Sequence, residues 1–419
     1  MLALAFVRDD PDAVRAALRA KNVALDLDAL LALDAEVRAG RGEIEALRAE
    51  RNALSASFAS APPNEKPALG ARAKALGAEA AAAEAALAAR AEALDDMLLR
   101  LPAIPWEGAP VGPDETSNTV VRTVGAPPAF AFAPLDHVAL CEANDWADFA
   151  GAAKVAGSRM YALKGRLALL EQALMLWASR RLVDAGFTLM AVPALARAPA
   201  FVATGHFPGH EDEAYAVPAD NLFLAGTGEI ALTSLHSGEI LPEAQLPILY
   251  AALSPCFRRE AGSAGRDVRG LLRVHQFQKL EQYVICPDDA EVSAEWHARL
   301  LANAEEMLAA LEIPYQVVET STGDMGLGKY RMNDIESWVP SLGRYRETHS
   351  CSTLHDWQAR RANLRWRDAS GKVRFCHTLN NTALASPRIL VPLLENHQQA
   401  DGRVRLPAAL HELMDGEFL

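Results

Sequence analysis

The pair of long helical patterns between Leu27 and Leu101, broken once at Ala61-Pro62-Pro63-Asn64, limits what this chain can fold into more than any other stretch. Proline lacks a backbone donor and clashes with the preceding turn, so the break marks a hairpin tip and the two halves run antiparallel. Leu30, Leu33, Val37, Ile44, Leu47 and Leu54 fall on heptad a and d positions of the first helix. Leu69, Leu76, Leu87, Leu94 and Met97 do so on the second, with Ala73, Ala80 and Ala83 filling most of the remaining seam and permitting close approach. Gly40, Arg51 and Arg90 also land on the seam, so both arginines are expected to snorkel to its edge. Such a hairpin buries too little surface to be a globular domain, so it projects from one. Taken alone it reads as a spacer or dimerisation element. Off the seam, Arg38, Arg41, Arg48, Arg72 and Lys74 are available to phosphates, interleaved with Glu43, Glu45 and Glu50.

At 419 residues the chain is long for one domain, and two are expected. A Pro- and Gly-rich stretch, LPAIPWEGAPVGPDETSN at 101–118, separates the arm from a second part that begins near Thr119. There, helices alternate with strands that are mostly hairpin-joined, which predicts an α+β arrangement with an antiparallel sheet flanked by helices. No GxGxxG or GxxxxGK[ST] sits where a strand meets a helix, which removes the common nucleotide-binding alternatives. The formal charge of -13 argues against a globally basic nucleic-acid binder, so any such partner must meet local patches. Cys141, Cys256, Cys286, Cys351 and Cys376 are dispersed, with no CxxC pair, and are expected to be reduced, with no zinc site. The amino terminus has no basic segment followed by a long apolar run, so cytoplasmic residence without a membrane partner is the expectation.

Within the second part, FRREAGSAGRDVRGLLRVHQFQKLEQY at 257–283 reads as two strands joined by a basic, glycine-bearing loop. Side chains two apart share a strand face, so Arg258 projects with Glu260, and His275 with Phe277 and Glu281. A guanidinium fork clamps phosphate and an aromatic ring offers a surface for a purine. Arg266, Arg269 and Arg273 can close over a polyphosphate, with Gly262, Gly265 and Gly270 letting the loop bend.

Phe257-Arg258-Arg259-Glu260 with the following GRD and RVHQF elements resembles motif 2 of class II aminoacyl-tRNA synthetases, in the version carried by seryl-tRNA synthetases. ALLEQALMLWASRRLVDAGFTLMAVPAL at 168–195, with Pro193 near its end, resembles motif 1, and FCHTLNNTALASPRILVPLLENHQ at 375–398 resembles motif 3. The resemblance covers nearly the whole chain. It implies a tRNA-binding domain at 1–105 with its coiled-coil arm at about 27–101, a linker at 106–118, and a class II catalytic domain at 119–419. It further implies a homodimer built on motif 1, an arm that reaches serine tRNA, and activation of L-serine by ATP with Mg2+ before transfer to tRNA(Ser) and, where one exists, tRNA(Sec). No DNA partner is implied.

The resemblance also assigns residues. Arg258 contacts the α-phosphate, Glu260 the adenine edge, Phe277 stacks under the ring, Val274 offers backbone groups, and Arg388 faces the γ-phosphate. Arg258, Glu347 and Arg388 form the catalytic set. Ser386-Pro387 resembles an N-cap and N1 pair, which would put Arg388 in a first helical turn anchored by Ile389, Leu390, Leu393 and Leu394. Glu347 and Ser350, in ETHSCST, match the pair that contacts ATP and metal through hard oxygens. Their odd spacing predicts a bulge. Glu281 and Thr382 match the serine-hydroxyl positions, Thr227 and Glu229 the TxE element around the ammonium group, and Asn380 shares parity with Thr382. Two departures bear on pocket width: Asn380-Asn381-Thr382-Ala383 stands where many members have NGSG, and Gly228 where they have alanine or serine. The rival readings are an amino acid:carrier-protein ligase, which lacks the long arm, a non-enzymatic RNA-binding relative, which requires loss of the ATP set, and an inhibitor-resistant duplicate.

Overall fold

The computed structural model describes residues 1–261 and 269–419, so Gly262, Gly265 and Arg266 lie outside the described residues. The chain divides into two compact units, one of Leu2–Arg19 with Val23–Pro102, the other of Met1, Ala20–Asn22 and Ala103–Leu419. No helix among the described residues is long and apolar enough to cross a membrane.

The first unit is dominated by the expected hairpin. Helix α1 spans Leu27–Phe58 and starts at Asp26, whose side chain accepts from the Ala29 amide as an N-cap. Helix α2 spans Lys66–Leu99, with a proline in its first turn where a missing donor costs nothing. Leu30, Val37 and Ile44 are buried against Leu76, Ala80, Leu87 and Leu94, while Leu47, Leu54 and Leu69 toward the tip are half-buried. Gly40 on the seam has a steric reason: a Cβ there would stand 2.8 Å from Leu87 Cδ1. Arg90 reaches the edge as expected and pairs with Glu36 at 3.4 Å. Asp34, 1 % exposed, is a buried charge that the heptad does not anticipate, and Arg8 at 3.3 Å and Arg38 at 3.0 Å neutralise it.

The second unit is an eight-stranded sheet with helices packed on it. The elements that build the sheet, its core and the site are, in chain order, β1 (Thr119–Val124), α3 (Gly165–Asp184), β2 (Thr188–Met190), α4 (Glu229–Ser234), β3 (Ile248–Phe257), β4 (Gln276–Cys286) and α5 (Ala290–Ala310). They continue with β5 (Tyr315–Glu319), β6 (Arg331–Val339), β7 (Arg344–His355), α6 (Trp357–Ala362), β8 (His377–Ser386) and α7 (Leu390–His397). The strand order is β1-β5-β6-β7-β8-β4-β3-β2, antiparallel throughout except the β2–β3 pair. Leu170, Leu174 and Ala178 of α3, Leu300, Ala304 and Leu308 of α5, and Leu390, Leu393 and Leu394 of α7 share one core with Ala251, Leu280, Val284 and Leu379 of the sheet. Spacings of three and four on each helix supply that apolar face.

Two irregularities shape the sheet's centre. Between β6 and β7 the register passes from Ile335↔His349 to Glu336↔Glu347, so Thr348 is an extra residue and the predicted bulge lies between Glu347 and Ser350. Between β8 and β4 it passes from Thr382↔Glu281 to Leu384↔Leu280, with Ala383 extra. One local expectation is overturned. Ser386 ends β8 rather than capping a helix, Arg388 lies in the turn that follows, and α7 begins only at Leu390. The Ser386 hydroxyl is taken by a long-range partner, donating to the Glu171 carboxylate at 2.6 Å, so it is not free to cap.

Candidate active site

The strands β3 and β4 pair without interruption from Ile248↔Ile285 to Phe257↔Gln276, and the chain leaves β3 at Arg258. Arg258 and Glu260 therefore lie just beyond the strand rather than on it. Glu260 takes a left-handed backbone (φ 54°), which turns its carboxylate toward the second limb, where Arg273 Nη1 donates to it at 2.6 Å. The Arg258 guanidinium lies 5.1 Å from the centroid of the Phe277 ring. These residues with Val274, Glu347 and Arg388 line a cleft. A wider opening of about 390 Å³ shares Arg258, Glu260, Arg273, Glu347 and Arg388 and adds Phe201, His206 and His210. Arg269 is not in the cleft lining; it pairs with Glu142 at 3.1 Å. His275 is likewise outside it, its ring edge-on to Tyr215.

Arg388 joins segments far apart in sequence, its Nε donating to the Leu272 carbonyl at 3.2 Å and its Nη1 to the Glu347 carbonyl at 3.2 Å. Burial pulls this guanidinium below its usual range; Glu347 opposes that, and Arg258, Arg273 and Arg346 add to it. Several cations crowded at one partly desolvated spot repel one another, and an anion of high charge relieves them. Such a cleft suits polyphosphate.

Beside it, behind Thr382 and Lys279 of its lining, lies a buried cluster of polar side chains. Thr382, the last residue of β8 before its extra residue, stands directly opposite Glu281. Glu281 is 1 % exposed, accepts from Thr227 Oγ1 at 3.2 Å and pairs with Lys279 on its own strand. The Thr227 hydroxyl accepts in turn from the Glu229 amide at 3.2 Å, at the start of α4. A Cβ on Gly228 would meet Ser254 Oγ at 3.1 Å and Ala252 Cβ at 3.3 Å, so the neighbours crowd this position and a larger residue would need them to shift. Asn380 Nδ2 and Gln358 Nε2 both donate to Glu229 Oε1 at 2.7 Å. Burial works against the Glu229 charge, but Lys329 above all, then His206, Gln358 and Lys279, outweigh it and hold the carboxyl below its usual range. Two buried carboxyl groups with a hydroxyl between them fit a small ammonium-bearing molecule.

Glu347 faces the polyphosphate cleft, while Ser350, past the bulge, stands opposite Asp334 on β6 and hydrogen-bonds to it. Asp334 Oδ1 is buried with no hydrogen-bond partner, and burial, then Glu347, pushes this carboxyl well above its usual range. Crowded oxygens with an orphaned atom fit a hard divalent cation. Among the described residues no group of three or more His, Cys, Asp or Glu side chains is placed to hold a metal, so phosphate and water must complete any such sphere.

Lys279, Lys329, His206 and Gln358 escaped the sequence reading. Lys279 was within reach, since it shares strand parity with Phe277 and Glu281. The other three come from loops or helices whose approach to Glu229 no local pattern announces.

Comparison with known proteins gives this geometry a family. Residues 1–105 match the family model of the seryl-tRNA synthetase N-terminal domain, and residues 215–397 that of the tRNA synthetase class II core domain (G, H, P, S and T). The serine–tRNA ligase of Deinococcus radiodurans is 53 % identical over 99 % of this chain and 98 % of its own, and that of Acidothermus cellulolyticus is 45 % identical over 100 % and 99 %. A crystal structure of the Pyrococcus horikoshii seryl-tRNA synthetase complexed with ATP superposes with a TM-score of 0.92 at 38 % identity, covering 100 % of this chain and 99 % of that one. The arm, the three motifs and the two adjoining pockets thus sit in a chain that belongs to the seryl-tRNA synthetases of class II.

Proposed function

We propose that this seryl-tRNA synthetase runs both of its steps across the boundary between the two pockets, ATP lying over Phe277 and serine between Glu229 and Glu281. The observation that carries the reading is the meeting of Arg258, Arg273 and Arg388 at a cleft beside a buried cluster in which Glu229 and Glu281 are hydrogen-bonded. In the first step a serine carboxylate oxygen attacks the α-phosphorus of ATP; the new O–P bond forms as the bond to the β-phosphate oxygen breaks, and pyrophosphate leaves. The carboxylate arrives without a proton, so no protein base is needed. Arg258 neutralises the α-phosphate and Arg388 the γ-phosphate, so the protein's contribution is position and charge. Glu347 with Ser350 would hold Mg2+, which when bound draws charge from the phosphates and orients the leaving pyrophosphate. In the second step a hydroxyl of the terminal tRNA adenosine attacks the serine carbonyl and AMP leaves.

Glu229 with Thr227 takes the ammonium group, Asn380 supports Glu229, and Glu281 with Thr382 takes the serine hydroxyl. Pairing that hydroxyl with buried groups is what rejects alanine, which would leave them unpaired. Residues 1–105 act as the tRNA-binding domain, joined through 106–118 to a catalytic domain at 119–419. Leu169, Leu176 and Val183 recur every seven residues along α3 and are exposed with Leu189 of β2, an apolar strip that supports pairing with a second copy. Service to tRNA(Sec) and cytoplasmic residence belong to the same reading. The test is exchange of labelled pyrophosphate into ATP by the purified chain with Mg2+. Serine must stimulate it well above an alanine control; equal rates would end the assignment of this pocket to serine.

A further inference from the structure

A carboxylate has two oxygens, and among the described residues only one of them, at Glu229, carries side-chain hydrogen bonds. Asn380 and Gln358 converge on Oε1, each at 2.7 Å, which leaves Oε2 as the oxygen available to an ammonium group. Gln358, fully buried on α6, has its whole hydrogen-bonding capacity engaged. Nε2 donates to the Thr204 carbonyl at 3.2 Å as well as to Glu229, and Oε1 accepts from Thr378 Oγ1 at 3.0 Å and from the Tyr283 hydroxyl at 3.4 Å. Thr233 Oγ1 donates to the Tyr283 oxygen at 2.9 Å, so the tyrosine proton is directed at the amide. A reversed amide would set its oxygen against the Glu229 carboxylate, so the donors and acceptors around it fix one orientation.

We propose that Gln358 is a positioning residue for amino-acid binding: by holding Glu229 Oε1 it aims Oε2 at the ammonium group of serine, without itself touching serine. The proposal rests on Glu229 being the ammonium partner. It predicts that interference at Gln358 appears in serine affinity and not in ATP affinity, because its contacts run to the amino-acid pocket and not to the phosphate cleft.

The experiment measures serine and ATP KM by pyrophosphate exchange in the full chain for Gln358→Met, Gln358→Glu and Glu229→Gln. Methionine keeps the length and removes the hydrogen bonds, so serine KM should rise about tenfold or more while ATP KM stays within about twofold. Glutamate puts a second carboxylate against Glu229, in the presence of Lys329, Lys279, His206 and Tyr283. Two such carboxyls share one proton more readily as pH falls, and the protonated one can again donate to Glu229. Serine KM of Gln358→Glu should therefore recover between pH 8 and pH 6, with no such recovery in the wild type; this profile decides the matter if the methionine variant does not fold. If Glu229→Gln raises serine KM and Gln358→Met does not, Gln358 has no positioning role and the proposal alone falls. If Glu229→Gln leaves serine KM unchanged, the ammonium reading falls and takes the proposal with it. Equal rises in ATP and serine KM in Gln358→Met, with no pH recovery in Gln358→Glu, would reduce Gln358 to fold support and overturn it.

Discussion

Arg388 and Glu281 show how single side chains divide the work of this site. The Arg388 fork reaches the carbonyls of Leu272 and Glu347 with different nitrogens, an arrangement that lysine, a point donor on a flexible stem, cannot reproduce. Arg388→Lys should raise ATP KM about tenfold and leave serine KM nearly unchanged, as steady-state exchange kinetics can check. Glu281 accepts from Thr227 and faces Thr382, so Glu281→Gln should lower kcat/KM for serine about tenfold to a hundredfold and narrow the serine-to-alanine ratio. Much of this was legible in the sequence, because Phe277 and Glu281 share strand parity and Arg258 opens the loop beside them. Gln358 was not legible, since it is 129 residues from Glu229 and 154 from Thr204, and no pattern within one element encodes such a meeting.

At the scale of elements, the arm was readable because its apolar seam repeats over two long helices. Even its irregularities were visible, although why Gly40 sits on the seam becomes clear only from Leu87 opposite it. Leu87→Ala should destabilise the arm by about 2–5 kcal/mol, seen as an earlier loss of helical signal in urea. Pyrophosphate exchange should be unaffected while serylation of tRNA falls; a parallel loss of both activities would contradict the arm's role as a tRNA-binding element. The bulge at Thr348 was also legible, since the two oxygen donors at Glu347 and Ser350 are spaced for opposite faces of a flat strand. The turn at Ser386 was misread because a serine followed by proline is a strong local cap signal. Its hydroxyl instead bonds Glu171, 215 residues away, and tertiary contact overrides local preference.

The whole molecule carries a net charge of -13, yet its cleft gathers arginines, so an anion would be met there locally rather than by a long-range field. Its interior also stores a pH dependence. Burial lowers His206, His297, His349 and His355 to about 4. Each is neutral in the fold and charged in the unfolded chain between about 4 and the ordinary 6.5, so the unfolded chain binds more protons in that window. Stability should fall as pH drops through it and be insensitive to these groups above it, which urea midpoints across that range would record. The fold as a whole followed from motif order, whereas the joining of the cleft to the buried polar cluster depended on side chains from loops and helices far apart in sequence. A crystal structure with a non-hydrolysable seryl-adenylate examines that joining most directly. The adenine should lie on Phe277, the phosphate mimic on Arg258, the ammonium group on Glu229 Oε2, and the hydroxyl between Glu281 and Thr382. An adenylate bound with its aminoacyl group outside the Glu229–Glu281 pocket would contradict it.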